Sequence, residues 1–295
     1  MSIVRNLRGL VAVAWKDFHA VFTSRRFLVV SAIVVVLLIL IATGLGYATL
    51  GSRGIAEPLT LWHREAAGAV AAFAFAFIPL ITPFMPINVA YDARRKDLSS
   101  GFLETAVARP VPRWTLALGK FLGMFLATAI PVLLGTLAGI AVIEALVFAP
   151  VPAPLIGGVL VGALLLLALY VSLVLVFSLV LSPGATRWLA LLLWVAFNLV
   201  RSSAFFVGGQ YLLIVQIQGP QTFESAWGDW ISFTGMYQGL LAPIVPDSLS
   251  FVLRPDITNL GGSLAYQSVP AAGLIWLLAL LILYVALLGR YPLGR

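Results

Sequence analysis

The stretch that decides the fold is Asp92-Ala93-Arg94-Arg95-Lys96-Asp97-Leu98-Ser99-Ser100-Gly101-Phe102-Leu103-Glu104-Thr105-Ala106-Val107-Ala108-Arg109-Pro110-Val111-Pro112-Arg113-Trp114-Thr115-Leu116-Ala117-Leu118-Gly119-Lys120. It is the most charged part of a chain that is otherwise oily, and it lies between two apolar runs long enough to cross a bilayer. Charge is costly inside hydrocarbon, so this stretch belongs in water or against a partner. Asp97 or Ser99 carries the short oxygen acceptor that caps a helix start. Leu98, Phe102 and Ala106, with Leu103 and Val107, then follow helical spacing over 98–108. Pro110 and Pro112 stop that helix, and Pro112 suits the start of the next one near Arg113. The expectation is a short amphipathic helix lying across the mouth of two membrane helices, with Glu104 as its lone acid.

Composition places the whole chain in the same class. Of 295 residues, 61% are hydrophobic and only 10% charged, and the mean hydropathy is +1.06. Soluble domains carry about two and a half times that share of charge, so this is an integral membrane protein. Apolar runs of about 20 residues without alternation predict helices and not a β-barrel. The net charge of +7 does not call for a nucleic-acid partner, because membrane proteins keep excess Lys and Arg on the cytoplasmic side. With no cysteine there is neither disulfide nor thiolate chemistry.

The hydropathy pattern gives one membrane domain over 1–295 with six membrane spans, at 27–50, 66–90, 114–147, 155–181, 188–207 and 270–289. Residues 1–26 hold Arg5, Arg8, Lys16, Arg25 and Arg26 against Asp17, with Val4, Leu7, Val11, Trp15, Phe18 and Phe22 at helical spacing. They read as an amphipathic helix in the cytoplasmic interface and an uncleaved anchor. Pro83 and Pro86 should kink the second span, and Pro131 should bend the third. Lys120 is expected to snorkel from the third span to the interface. The charged loop is 92–113. Residues 208–269, rich in Trp and acids, read as a surface-lying or re-entrant segment on the outer side. An even number of spans puts both termini on one face. Segments 1–26, 92–120, 182–187 and 290–295 hold 14 of the 18 Lys and Arg, which makes that face cytoplasmic and the membrane the cell (plasma or inner) membrane. The fold class is therefore all-α: six transmembrane helices, an interfacial N-terminal helix, a short cytoplasmic helix and an outer segment before the last span.

Catalytic signatures are missing. Leu118-Gly119-Lys120-Phe121 lacks the upstream glycine and the hydroxyl of a phosphate-binding loop, so ATP hydrolysis by that route is not expected of this chain. No Gly-x-Ser-x-Gly or His-Glu-x-x-His occurs, and His19 and His63 cannot build a histidine-rich metal site. Glu144 and Arg201, near the outer ends of their spans, read as a headgroup-level charge pair. Asn88, Ser172, Ser178 and Asn198 are polar residues in or near spans; they line a substrate path or simply join packed helices. Gly135-x-x-x-Gly139 and Gly158-x-x-x-Gly162 permit close helix approach and hint at a dimer seam.

The 92–120 stretch resembles the loop between the second and third membrane helices of ABC-2 type exporter permeases. That loop runs Gly-x-Leu-Glu, a short apolar stretch, Pro-[Val/Ile]-x-Arg, then Gly-Lys. Here it stands as Gly101-Phe102-Leu103-Glu104, Arg109-Pro110-Val111-Pro112-Arg113 and Leu118-Gly119-Lys120, with Pro112 where the family commonly has Thr or Ser. The resemblance implies that Gly101, Phe102, Leu103, Glu104, Arg109, Pro110, Arg113, Gly119 and Lys120 form a coupling element for a separate ATP-binding subunit. It also implies a second permease subunit, alike or related, with ATP and magnesium bound by the partner and no cofactor by this chain. An outer partner protein is compatible with the short outer loops. The rival readings are an ion- or proton-coupled carrier working through Glu144, a polytopic enzyme acting on lipid, and a membrane scaffold without an ATPase. Apolar spans and the Trp-rich outer segment point to a hydrophobic or amphipathic substrate.

Overall fold

The computed structural model describes residues 2–51, 67–68, 70–72, 74–99, 112–202, 232–241 and 269–290. Every regular element among them is helical: α1 (Ser2–Phe22), α2 (Arg25–Gly51), α3 (Ile78–Ile81), α4 (Phe84–Ala90), α5 (Ala93–Ser99), α6 (Arg113–Val147), α7 (Ala153–Val180), α8 (Pro183–Ser202), α9 (Phe233–Leu241) and α10 (Val269–Arg290). Within α2, α6, α7 and α10 there are 4 stretches long and apolar enough to cross a membrane. Of the six spans expected from hydropathy, four are matched by such helices among the described residues; α8 and the interrupted helical stretches between 67 and 90 are not among them.

α7 is the hub. It packs against α6, α10, α9, α4 and α8, and its run from Leu166 to Val176 is buried without a break. Its sequence is apolar on every side, which is what a central helix requires. α1 and α2 both lie along α6. Lipid tails are as apolar as leucine, so these contacts rest on close fit and not on hydrophobic exclusion. Small residues supply the fit: a Cβ on Gly135 would stand 2.9 Å from Leu38 Cδ1 and 3.2 Å from Val35 Cα, and one on Gly139 3.4 Å from Ala42 Cβ. The Gly135-x-x-x-Gly139 pair is therefore used inside the chain to seat α2 on α6, which corrects its reading as a dimer seam. A Cβ on Gly162 would likewise stand 2.9 Å from Cδ2 of the Tyr237 ring.

α6 begins at Arg113 behind Pro112, as the prolines predict, and continues as helix through Pro131. It ends on Phe148, held at φ 55°, while Glu144 Oε1 accepts the Val151 N–H at 2.9 Å. Between 67 and 90 the chain is interrupted at Ala76–Phe77 and at Thr82–Pro83. The break at Pro83 was legible in sequence. The other is set by Pro79, since proline offers no N–H to the carbonyl four residues earlier.

Helix α9, within the segment expected on the outer surface, packs inside the bundle against α7, α10 and α8, and Phe233, Met236 and Tyr237 are buried. The other parts of 208–269 lie outside the described residues.

Candidate functional site

At the end of the bundle that carries α1, four charged side chains meet. α1 lies against the first turns of α6 because glycine repeats there at a four-residue interval. A Cβ on Gly119 would fall 2.8 Å from Val13 Cβ and 3.0 Å from the Leu10 carbonyl oxygen; one on Gly123 would overlap the Ala14 carbonyl and sit 3.0 Å from the Phe18 nitrogen. Val13 and Val21 fill that contact, and Asp17 lies between them on the same face of α1. Asp17 is only 5% exposed, Asp97 7% and Lys120 8%. Lys120 Nζ is hydrogen-bonded to Asp97 and lies 3.8 Å from Asp17 Oδ2. Lys16 Nζ stands 3.2 Å from Asp97 Oδ1 and 3.3 Å from Asp17 Oδ1. Two acids and two ammonium groups thus neutralise one another across α1, α5 and α6, and Tyr284 on α10 faces both carboxylates.

Burial has a measurable consequence here. It pushes the Asp17 carboxyl above its ordinary range, and Lys120 and then Lys16 pull it back only in part, with Asp97 adding repulsion. A buried pair of this kind contributes little net stability beside an apolar packing, yet removing one member leaves a charge in a poor solvent.

The structure corrects several expectations. Lys120 does not snorkel; it is buried and ion-paired. Asp97 does not cap a helix at 98–108; it is inside α5, and Ser99, at the end of α5, gives its hydroxyl to the Lys96 carbonyl at 3.1 Å. Gly101, Phe102, Leu103, Glu104, Arg109 and Pro110 lie outside the described residues. Arg113 hydrogen-bonds the Gly289 carbonyl, capping the last turn of α10, where a cation suits both the open carbonyl and the helix dipole. Lys16 and Asp17 were overlooked as site residues, although the Gly119-x-x-x-Gly123 spacing and the single acid of α1 marked the contact.

A second polar group lies deeper. Pro79 leaves the Phe75 carbonyl without a helical donor, and the Tyr237 hydroxyl supplies one at 2.9 Å. Pro83 does the same to the Pro79 carbonyl, which accepts from Trp194 Nε1 at 3.2 Å. Ser232 caps α9 by accepting from the Gly235 N–H at 3.2 Å while donating to the Phe197 carbonyl at 3.2 Å. Thr234 donates to Asn198 Oδ1 at 3.4 Å, and Asn198 Nδ2 donates to the Trp194 carbonyl at 2.8 Å. Ser172 donates to Ala168, Ser178 to Leu175 and Asn88 to Phe84, each within its own helix. Of the four polar candidates, only Asn198 is shown joined to another helix.

A family model described as ABC-2 family transporter protein matches residues 11–291. The chain belongs to that family. The ABC-2 membership and the long apolar helices together make it a multi-pass membrane permease, the membrane component of a transporter. No curated protein gives a significant match. Within this ABC-2 permease, the four-charge junction sits on α5, the element that leads directly into the motif at 101–113.

Proposed function

We propose that this permease is the membrane subunit of an ATP-driven exporter, coupled to a separate ATP-binding subunit through residues 92–120. Two such subunits, identical or related, flank the substrate pathway, with both termini and the junction on the cytoplasmic face. ATP and magnesium belong to the partner. Six crossings are kept in this reading, with α8 and the broken 67–90 segment as the two that fall short of an unbroken apolar helix. The carrying observation is the junction itself: Asp97 joins the segment that enters the coupling motif to Lys120 on α6 and Lys16 on α1. A displacement of residues 100–111 by a closing partner would reach α1 and α6 through those ion pairs without needing a longer chain of contacts. Such a cycle is a coupling free energy between two sites, expressed as rigid-body movement of packed helices. The cargo is proposed to be hydrophobic or amphipathic.

The test is co-purification. The tagged chain is expressed with its neighbouring genes and extracted in mild detergent, unmodified and as Glu104→Arg. The expected result is an ATP-binding protein retained by the unmodified chain, with the charge reversal lowering retention or uncoupling its ATPase. Failure of the unmodified chain to retain any nucleotide-binding protein would sink the proposal.

A further inference from the structure

α4 turns one stripe outward. Met85, Pro86, Ile87, Val89 and Ala90 are buried, while Phe84 is exposed and Asn88 and the following Tyr91 are half-buried, at a spacing of four and three residues. α2 and α8 both pack against α4, and each brings an arginine to Tyr91 just past its end, so we read the stripe as the floor of a shallow groove between them. At its charged end two guanidinium groups converge on one ring. Arg26 donates to the Tyr91 hydroxyl at 2.6 Å, and Arg187 Cζ lies 5.7 Å from the Tyr91 ring centroid. Asp92 is the acid nearby, and it is shared between Arg26 and Lys96. Arg187 has no acid in ion-pair contact among the described residues. Further along, the floor and wall become apolar and aromatic, with Phe84 edge-on to Trp194 at 4.6 Å between centroids.

We propose that this groove is a binding site for an anionic phospholipid of the surrounding bilayer. The polarity runs the right way: a cationic lip where headgroups lie and an aromatic, apolar wall where an acyl chain lies. Two arginines held near one another by a tyrosine keep an unneutralised charge that a phosphodiester satisfies, and guanidinium groups suit phosphate oxygens in geometry as well as charge. Tyr91 supplies a rigid ring for the cationic group of Arg187 and fixes Arg26 through its hydroxyl. Unlike the general cationic excess on this face, the site needs these two arginines and not others. It does not depend on ATP coupling.

The experiment uses the full chain in neutral detergent, titrated with phosphatidylglycerol, phosphatidylcholine or inorganic phosphate, with thermal stability and native mass spectrometry as readouts. Phosphatidylglycerol should bind the unmodified chain more tightly than phosphatidylcholine, and Arg26→Gln with Arg187→Gln should weaken it about twenty-fivefold, each cation near a lipid surface being worth about a factor of five. Arg187→Gln alone, at an exposed position that should not disturb folding, should cost about fivefold. Arg290→Gln, on the same face but off the groove, should retain the preference. Equal binding of the two lipids, an equal loss from Arg290→Gln, or inorganic phosphate binding as well as the lipid would each overturn the proposal. The last of these would mark a free-phosphate site.

Discussion

Replacing Lys120 with methionine tests the junction directly. The side chains are similar in length, so the change removes charge and little volume. Two carboxylates, Asp17 and Asp97, would then share Lys16, which is a third exposed. A unit-charge contact at the 3.8 Å between Lys120 and Asp17 is worth about 4 kcal/mol at an effective dielectric constant of about 20. Most of that offsets desolvation in the intact cluster, but none of it remains to offset the desolvation of the acids once the cation is gone. Breaking a buried pair on one side costs about 3–5 kcal/mol. For a chain of this size that corresponds to a fall in Tm of about 5–8 °C. The assay is thermal unfolding of the purified permease in detergent, followed by tryptophan fluorescence. Lys96→Met, which breaks the exposed contact with Asp92, is the comparison and should cost at most about 1 kcal/mol. Replacing Asp97 and Lys120 together by methionine should recover most of the loss, because an apolar pair of similar volume removes both buried charges. If Lys120→Met unfolds no earlier than Lys96→Met, the junction is solvated and the account of α1 and α6 is wrong. A Lys120 that served only to touch a partner subunit would give that same flat result.

The remaining expectations concern single hydrogen bonds and pH. Tyr237→Phe should cost about 1 kcal/mol, the scale of a hydrogen bond between membrane helices. In a Pro79→Ala background the same change should cost close to nothing, because alanine at 79 restores the helical donor to the Phe75 carbonyl; equal losses in both backgrounds would refute the orphaned-carbonyl explanation. Asp17 carries a pKa raised by burial, so its ionised form weighs against the folded state at any pH above that raised value. The weight lifts as pH falls through the raised pKa toward the ordinary carboxylate value. Asp17→Asn should therefore gain on the unmodified chain as pH rises across that window. Tm measured from the ordinary carboxylate range upward checks this, and a difference that shrinks with rising pH would contradict it.

Composition and hydropathy were enough for an all-helical membrane protein and for α2, α6, α7 and α10, because a span must be apolar along its whole length and that is visible in one dimension. The second span was harder. Its prolines marked a disturbance, but Pro79 mattered as much as Pro83, and its consequence lay in a carbonyl whose donor comes from 162 residues away. No local pattern announces that partner. The sequence leaves the position of α9 open between a surface-lying and a re-entrant segment for a related reason. Trp227 and Trp230 suit the headgroup layer, whereas Phe233-Thr234-Gly235-Met236-Tyr237 is short and packs inside the bundle, with Thr234 bonded to Asn198 on α8 and Tyr237 to Phe75 in the broken segment. Lys120 was read by the rule for a lone lysine near a span end, which fails when two acids from other helices arrive at the same depth.

The two polar groups differ in what movement would require of them. The staples at Phe75 and Pro79 bind neutral donors to carbonyls that cannot be satisfied within their own helix. Separating α9 or α8 from the broken segment would expose those carbonyls to hydrocarbon, and only a water-filled space or another donor could compensate. A substitution leaves the acids of the four-charge junction buried and unpaired, whereas a movement that opens the junction beside the half-buried Lys16 admits water to the separating charges. In the proposed cycle, yielding at the junction is therefore cheaper than yielding at the staples. α1, α5 and the first turns of α6 are expected to rearrange while α9, α8 and the 75–83 segment travel together. Hydrogen exchange with the ATP-binding partner present, with and without nucleotide, would separate the alternatives: protection changing in α1 and α5 while 233–241 stays constant fits this order, and the reverse pattern would exclude it.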